Sequence, residues 1–398
     1  MPIARAEMQE MAKGYDCDAV GIAVLGSHSA LELGMSATSL GMPCTVVVEK
    51  GRSGLYTKHN RHLFTDVIEL DKFSEILNES VQEELRQKNR IFIPNRSFSV
   101  YACKSKETRY DDIENNFKVP MYGNRFILRA EDRKDEKGQY HILKSAGIRI
   151  PKQFKTPEEI DRLAIVKVQQ AGNELERAFF YVKNAEDYDQ QAKKLKDQGV
   201  ISEKTLKEAR IEEYVLGARY NANFHKYALT EFFGDFDFVG TSDRRQVNLQ
   251  GFLNLPAREQ LKLDVPVKNE EIGHFGLTIR ESKQPDLYKA AEKLFHSEQL
   301  LKDYPPGIIG LCGIQGAMAY SPTNPKELEF VVFDLSPRIP GDPAMGPTTP
   351  EMKNLTLKHR KEIKEMFGSD AAITDPLDLS IMEIRAAAMD KRLGAIVT

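Results

Sequence analysis

Residues 20–41, VGIAVLGSHSALELGMSATSLG, hold the pattern that decides the fold of the first part of the chain. A short apolar run, typical of a buried strand, stops at Gly26, and a helix-like apolar pattern follows it as far as Gly41. A strand that leads directly into a helix is half of a β-α-β unit, from which parallel sheets are built. His28 lies in the turn between the two elements, where open parallel sheets bind their ligands.

The turn itself allows two interpretations. In the first, it binds an anion, because a helix N-terminus offers unpaired N–H groups, Gly26 permits a tight turn, and Ser27, His28 and Ser29 can donate hydrogen bonds to a phosphate. In the second, Ser29 and Glu32 have the spacing of a capping box, which satisfies the helix end without a ligand. The local sequence does not separate the two.

The alternation of strands and helices continues after residue 41. The runs CTVVVEK (44–50), DVIEL (66–70) and NRIFIP (89–94) are separated by helix-like stretches. The sequence therefore predicts an α/β protein with a Rossmann-like domain over residues 1–122. After this point the pattern changes to α+β over residues 123–398, with a first subdomain at about 123–210 and a second at 211–398.

Polar residues also follow two other predicted strands. PNRSFSVY (94–101) follows RIFI as GSHS follows the first strand, so we expect Arg96 and Ser97 at the same sheet edge as His28. Arg52 follows CTVVVEK and either adds positive charge there or lies in an exposed turn.

Composition excludes several function classes. The 398 residues are 41% hydrophobic and 29% charged with a net charge of −3, and no apolar run is long enough to span a membrane. The amino terminus lacks the apolar core of a signal peptide, so we expect a cytoplasmic protein with no membrane or nucleic-acid partner. The scattered cysteines predict buried reduced thiols rather than a metal site: Cys17, Cys44, Cys103 and Cys312.

The sequence of the second half predicts a β-hairpin over residues 308–336 that turns at SPTNP. A turn centred between Asn324 and Pro325 places Gln315 opposite Asp334, where an amide oxygen and a carboxylate could share one Mg²⁺ ion. The alternative is a buried Gln–Asp hydrogen bond.

Two charged positions lie in or beside other predicted strands. Lys167 ends the strand AIVK and either contacts a phosphate or is solvated. Glu212 and Glu213 lie in an apolar stretch, so one must face a polar site while alternation sends the other to the opposite face.

Nine short segments occur in an order that resembles one known family. They are GSHSAL, EKGRSGLY, PNRSF, VPMYGNRFILRAE, RIEEYVLG, TIRES, PPGIIG, GIQ and VVFDLSPR. Together they resemble the archaeal formate-dependent synthetases of 5-formamidoimidazole-4-carboxamide ribonucleotide (FAICAR). The resemblance implies an ATP-grasp ligase of purine biosynthesis, preceded by a Rossmann-like domain. ATP would phosphorylate formate, and the 5-amino group of aminoimidazole carboxamide ribonucleotide (AICAR) would attack the formyl phosphate.

The resemblance also implies site residues, a metal and a homo-oligomer. The residues matched to AICAR binding are Ser27, His28, Ser97 and His274. Those matched to ATP binding are Lys167, Glu212, Glu213, Val215 and Gln246, and those matched to binding Mg²⁺ or Mn²⁺ are Gln315 and Asp334.

Four positions depart from the family pattern. A loop resembling GARGGRG reads QQAGNELERA here, with only Gly172 retained, and Gln246 and Asp334 each replace a glutamate. His274 replaces an asparagine. We therefore keep two alternatives to a divergent FAICAR synthetase: a paralogue that binds a purine-pathway nucleotide without formylating it, and an ATP-grasp ligase for another carboxylate.

Overall fold

The protein is described by a computed structural model that covers residues 2–105, 107–132, 135–170, 173–263, 271–322, 324, 326–340, 350–368 and 371–398, with side chains left out at 169–170, 173–177 and 350–351. Contacts group the chain into two compact units. Unit 1 comprises Met1–Gly147, Tyr220–Gln315 and Asp334–Thr398, and unit 2 comprises Ile148–Arg219 and Gly316–Phe333. This grouping follows different boundaries from the division at residue 122, which stays a prediction.

Unit 1 contains the predicted parallel sheet. Its strands are β1 (Gly21–Leu25), β2 (Cys44–Glu49), β3 (Asp66–Leu70) and β4 (Arg90–Phe92). They run parallel in the order β3-β2-β1-β4. The direction of winding therefore reverses between β1 and β4, which are neighbours in the sheet but distant in sequence, and the segments that follow these two strands flank the switch point.

Both faces of this sheet are covered, which explains why its strands are continuous apolar runs. Ile22 and Val24 of β1 face one core, whereas Ala23 and Leu25 face another. The first core also holds apolar residues of the last 25 positions, among them Leu379 and Val397. The N-terminal sheet and the C-terminal segment are thus parts of one core.

Two further sheets follow. In unit 2, the strands β5 (Gln153–Phe154), β6 (Ala164–Gln170), β7 (Asn173–Val182) and β8 (Arg210–Glu213) form an antiparallel sheet in the order β5-β8-β6-β7. The third sheet has the order β11-β10-β9-β12-β13. Its strands are β9 (Gly217–Lys226), β10 (Phe236–Gln246), β11 (Glu271–Leu277), β12 (Gly310–Tyr320) and β13 (Leu328–Ser336).

Helices fill the connections between the strands. In chain order they are α1 (Arg5–Lys13), α2 (Ala30–Ser39), α3 (Glu79–Gln87), α4 (Arg96–Tyr101), α5 (Arg109–Asn116), α6 (Gln139–Ser145), α7 (Ala185–Asp197), α8 (Glu203–Lys207), α9 (Thr230–Phe233), α10 (Val247–Leu253), α11 (Ala257–Gln260), α12 (Gln284–Phe295), α13 (Glu298–Asp303), α14 (Pro350–Lys358), α15 (Arg360–Phe367) and α16 (Asp378–Met389). Within the described ranges, none of these helices has both the length and the apolar character that crossing a membrane requires.

The predicted hairpin is present, since β12 and β13 are neighbours in the third sheet. At its turn the N–H of Ser321 donates to the carbonyl of Glu327 over 2.8 Å. This bond pairs residues one position away from the register expected for a turn centred between Asn324 and Pro325, so the predicted register is wrong at the turn.

A buried arginine holds the end of unit 1 together. The Arg125 side chain is 1% exposed, and its guanidinium donates to the carbonyls of Phe117 at 2.5 Å, Val119 at 3.0 Å and Thr398 at 2.5 Å. Because all three acceptors are backbone groups, this one side chain satisfies polar atoms that the fold would otherwise bury unpaired.

We expect Arg125→Met to destabilise the protein by roughly 3 kcal/mol or more, because buried carbonyls lose their donor. Urea unfolding measures the change. Arg392→Met is the matched control, since Arg392 pairs with Glu231 at the exposed surface, and a surface ion pair contributes at most about 1 kcal/mol. Equal losses for the two variants would contradict the assignment of Arg125.

Candidate active site

The turns after β1 and β4 are joined by one buried side chain. The amide Nδ2 of Asn95 donates to the carbonyls of Leu25 at 2.9 Å and His28 at 2.8 Å. Its Oδ1 accepts from the N–H of Phe98 at 3.0 Å and so caps α4. The structure therefore brings the His28 turn to the segment that carries Ser97, as expected from the sequence.

The capping box at the start of α2 is absent. Ser29 has a left-handed backbone (φ 65°) and makes no side-chain capping bond, so the interpretation that pairs Ser29 with Glu32 is wrong. The physical reason is that a capping serine needs an extended backbone for its hydroxyl to reach the third N–H of the helix. Instead, the Ser29 hydroxyl lies 3.5 Å from Nδ1 of His28.

Gly26 is required here for a reason other than the expected tight turn. A Cβ atom at this position would lie 2.5 Å from Cγ1 of Val48 on the neighbouring strand. The N–H of Gly26 also donates to the carbonyl of Val47, on the same neighbouring strand, at 2.7 Å. Only glycine lets the turn leave β1 so close to β2.

A carboxylate shared by two arginines lies in the same unit. Glu131 has a side chain 6% exposed, and its Oε2 lies 2.6 Å from Nη1 of Arg96 while its Oε1 lies 2.8 Å from Nε of Arg338. Two positive charges therefore share one negative charge. The cluster keeps a net charge of +1, which favours binding of an anion.

Burial and this cluster together lower the pKa of His28. Burial lowers the pKa of His28, and the charges of Arg338, His274 and Arg96 lower it further, whereas Glu271 acts in the opposite direction. His28 is therefore neutral at physiological pH and offers one N–H donor to a ligand.

Arg52 does not join this group. Its guanidinium lies 6.0 Å from the ring centre of Phe73 and 5.6 Å from that of Tyr101, and about half of its side chain is exposed. These contacts favour the alternative of an exposed turn residue.

Strands β10 and β11 carry a second group of polar residues. Their register pairs Arg244 with His274 and Gln246 with Glu271. Oε1 of Glu271 lies 3.1 Å from Nε2 of His274, and its Oε2 lies 3.1 Å from Nε of Arg244. The buried Oε1 of Gln246 has no hydrogen-bond partner, so it remains available to a ligand.

Gln315 and Asp334 both face Arg244. Nη2 of Arg244 donates to Oε1 of Gln315 and lies 4.0 Å from Oδ2 of Asp334. The structure thus brings the two predicted metal ligands to one cation. An amide oxygen and a carboxylate oxygen are a donor set that Mg²⁺ prefers, so these residues fit the ion once Arg244 moves aside. In the described part of the chain, no cluster of three or more His, Cys, Asp or Glu side chains offers another site.

In unit 2, two predicted ATP-binding residues pair with each other. Nζ of Lys167 donates to Oε1 of Glu212, and both side chains are largely buried. Glu213 instead pairs with Arg149 at 2.8 Å and Arg162 at 3.7 Å, so the two neighbouring glutamates serve different groups, as alternation predicts. Val215 accepts the N–H of Gly217 at 3.1 Å in the turn after β8. Gly172 lies outside the described residues.

The sequence patterns missed five residues that build these groups. Asn95 and Glu131 are in segments quoted for the resemblance, but their importance lies in contacts with distant parts of the chain. Arg338 is also in a quoted segment and acts through Glu131. Arg244 and Glu271 come together only through the pairing of β10 with β11. A paired-strand alignment of DRRQ with EIGH is the one sequence signal that could have found Arg244 and Glu271.

Solved structures share this architecture. The IMP biosynthesis protein PurP from Thermococcus kodakaraensis superimposes with a TM-score of 0.65 at 18% identity, over 95% of this chain and all of that chain. The biotin carboxylase domain of a single-chain bacterial carboxylase superimposes with a TM-score of 0.50 at 11% identity, over 89% of this chain and 72% of that one. The predicted fold class is confirmed: the protein has an α/β architecture with the ATP-grasp fold and a Rossmann-like parallel sheet.

Sequence similarity narrows this class to one family. The chain is 33% identical over 339 residues to the 5-formaminoimidazole-4-carboxamide-1-(beta)-D-ribofuranosyl 5'-monophosphate synthetase of Methanopyrus kandleri, which covers 85% of this chain and 88% of the relative. Residues 187–398 match a domain of unknown function (DUF1297), and residues 22–154 match a protein of unknown function (DUF1246). The chain belongs to the FAICAR synthetase family, whose members are purine-biosynthetic ligases.

We expect Glu131→Gln to lower the free energy of unfolding by about 3 kcal/mol, because it leaves two neighbouring cations without their shared carboxylate. Inorganic phosphate should then raise the melting temperature of the variant more than that of the wild type, since an anion replaces the missing charge. Thermal unfolding with and without phosphate measures both effects. The same phosphate response in both proteins would argue against an anion site at this cluster.

Proposed function

We propose that this protein formylates AICAR to FAICAR with ATP and formate, through formyl phosphate. The observation that carries the proposal is the cluster of net charge +1 at Arg96, Glu131 and Arg338, which adjoins a neutral His28. An excess of positive charge around a buried carboxylate, with Arg96 partly open to solvent, suits a nucleotide monophosphate. In this assignment Ser27, His28, Ser97 and His274 bind AICAR.

The phosphoryl-transfer half of the reaction falls to other residues. Lys167 leaves Glu212 and contacts the ATP phosphates instead. The remainder of ATP is contacted by Glu212, Glu213, Val215 and Gln246. Gln315 and Asp334 would hold Mg²⁺, which supplies neutralisation of phosphate charge when it is bound. Arg244, which contacts these two oxygens in the structure, is then free to approach the transferred group.

The reaction needs little covalent help from the protein. Formate attacks the terminal phosphate of ATP and displaces ADP, and the 5-amino group of AICAR then attacks the carbon of formyl phosphate and releases phosphate and one proton. Positioning and positive charge provide most of the acceleration of such anionic reactions.

We also infer that the protein is cytoplasmic and forms a homo-oligomer.

The first test is product formation. Purified protein with ATP, Mg²⁺, formate and AICAR should form FAICAR and release ADP only when AICAR is present. Asp334→Asn should reduce kcat far more than AICAR affinity, because the negatively charged ligand of the metal is lost. His28→Ala should show the opposite balance. ADP release that does not depend on AICAR would overturn the proposed function.

Binding of AICAR should be accompanied by proton uptake. The pKa of His28 is lowered in the free protein, and a bound phosphate dianion raises it, so affinity increases as the pH falls through the bound-state pKa. Calorimetry in buffers of different ionisation enthalpy counts the protons. Uptake should vanish in His28→Ala, and uptake that persists there would assign the proton to another group.

One observation favours a second candidate, a paralogue that binds the nucleotide without formylating it. Glu212 neutralises Lys167, the cation expected on the ATP phosphates. Calorimetry separates the candidates, because tight AICAR binding without ATP binding supports the paralogue. A screen of carboxylic acids for AICAR-dependent phosphate release tests the third alternative, a ligase for another acid.

A further inference from the structure

We propose that Asn223 is a specificity-determining residue that recognises the 4-carboxamide of AICAR, with one hydrogen bond donated and one accepted. This inference rests on the proposed binding of AICAR but not on its formylation, and it assigns one substituent of the substrate to one side chain.

The amide of Asn223 is buried with neither of its polar atoms paired. Asn223 is 1% exposed, and its Nδ2 and Oδ1 both lack a hydrogen-bond partner among the residues that the structure describes. Folded proteins pair nearly all of their buried polar atoms. An amide with both atoms unpaired therefore indicates a ligand or a bound water at this position.

Strand pairing places Asn223 on the face of the third sheet that carries Arg244. The partner of Asn223 on β10 is Gly240, and side chains of directly opposed residues lie on one face. Alternation along β10 keeps Gly240, Ser242 and Arg244 on that face. The buried hydroxyl of Ser242 likewise has no partner within the described ranges. Unpaired polar atoms of two neighbouring strands thus lie on the face of the guanidinium that contacts the predicted metal ligands.

The strand on the other side of Asn223 leads to one of these ligands. A Cβ atom on Gly313 of β12 would lie 3.2 Å from Oδ1 of Asn223, so the amide lies against the backbone of that strand. Gly313 and Gln315 are two residues apart and share a face, which separates them by roughly 7 Å. The amide is therefore within the length of a small substrate from the predicted metal site.

The same face of β12 meets the end of the parallel sheet. Leu311 shares the face of Gly313 and lines a small cavity together with Ile93, which follows β4. The turn after Ile93 carries Arg96 and Ser97. A nucleotide whose phosphate binds at this turn therefore extends its base towards the face that carries Asn223.

Pro340 packs beside the amide and covers it. The Cβ position of Gly313 lies 3.0 Å from Cβ of Pro340, next to Oδ1 of Asn223. An unpaired amide raises the free energy of this covered arrangement. A substrate that moves Pro340 aside and pairs with the amide removes that penalty.

The carboxamide of AICAR matches both atoms of the Asn223 side chain. Nδ2 donates to the carbonyl oxygen of the substrate amide, and Oδ1 accepts from its N–H. A phosphate dianion or formate has acceptors only and would leave Oδ1 unpaired, whereas a metal ion would leave Nδ2 unpaired. The 5-amino group is on the adjacent ring carbon, so a residue that holds the carboxamide also positions the nucleophile.

Calorimetry with AICAR and with its analogue that has hydrogen in place of the carboxamide tests the proposal. Asn223→Leu keeps the shape of the side chain but removes both hydrogen-bonding groups, and Asn223→Ala is a second variant with a smaller side chain. Asn115→Leu is the matched control, because Oδ1 of Asn115, on α5, is also buried with no partner in the part of the chain that the structure describes. Thermal unfolding is measured for each protein.

We expect the wild type to bind AICAR about 100-fold more tightly than the analogue, because the analogue leaves the Asn223 amide unpaired. In both Asn223 variants this preference should fall below about 5-fold, since the two groups that interact are then both absent. Asn223→Leu should melt at the temperature of the wild type or above it, because an unpaired buried amide is removed. Asn115→Leu should keep the full preference.

A preference for AICAR that persists in both Asn223 variants would overturn the proposal, and so would a wild type that binds AICAR and the analogue equally. A lower melting temperature of Asn223→Leu with an unchanged preference would assign the amide to a structural water. Because calorimetry needs no turnover, a wild type that binds AICAR but forms no FAICAR contradicts the proposed function and leaves this inference standing. A wild type that does not bind AICAR refutes both.

Discussion

The site in unit 1 depends on one buried carboxylate. Glu131 holds Arg96, at the start of α4, and Arg338, just after β13, so it links the segment after the parallel sheet to the end of the third sheet. Without it the two cations would repel each other, and the buried Arg338 would lose its carboxylate partner. The same contact leaves a positive excess beside His28, which lowers the pKa of that histidine in addition to the larger effect of its burial.

Arg244 plays a corresponding part in unit 1. Its guanidinium contacts Glu271, Gln315 and Asp334, so one cation compensates two carboxylates and an amide oxygen. Before a metal ion binds, the partly buried carboxylates of this site need another positive charge, because burying an unpaired charge raises the free energy of the folded state. A flexible arginine can exchange these partners as the ligands arrive.

The sequence predicted the parallel sheet and the meeting of its two polar turns, because strand runs and their order follow from hydrophobic pattern and chain connectivity alone. It predicted the hairpin but not its register at the turn, where a shift of one residue depends on local backbone geometry. The capping box failed because the motif identifies residue types and not the left-handed backbone of Ser29. Asn95, Glu131 and Glu271 act through distant partners or through a bulge, and neither leaves a local pattern in the sequence.

The shared core of unit 1 has a consequence for how the chain folds. Arg5 donates to the carbonyl of Val397, 392 positions away, and the N–H of Thr398 donates to Met121 at 3.0 Å. The first elements to be synthesised thus await contacts from the last residues of the chain, and closing so large a loop is slow. During translation the parallel sheet has one face without its full cover until residues 379–397 have left the ribosome. Until then the nascent chain exposes apolar residues of this core, so we expect chaperones to bind it during synthesis.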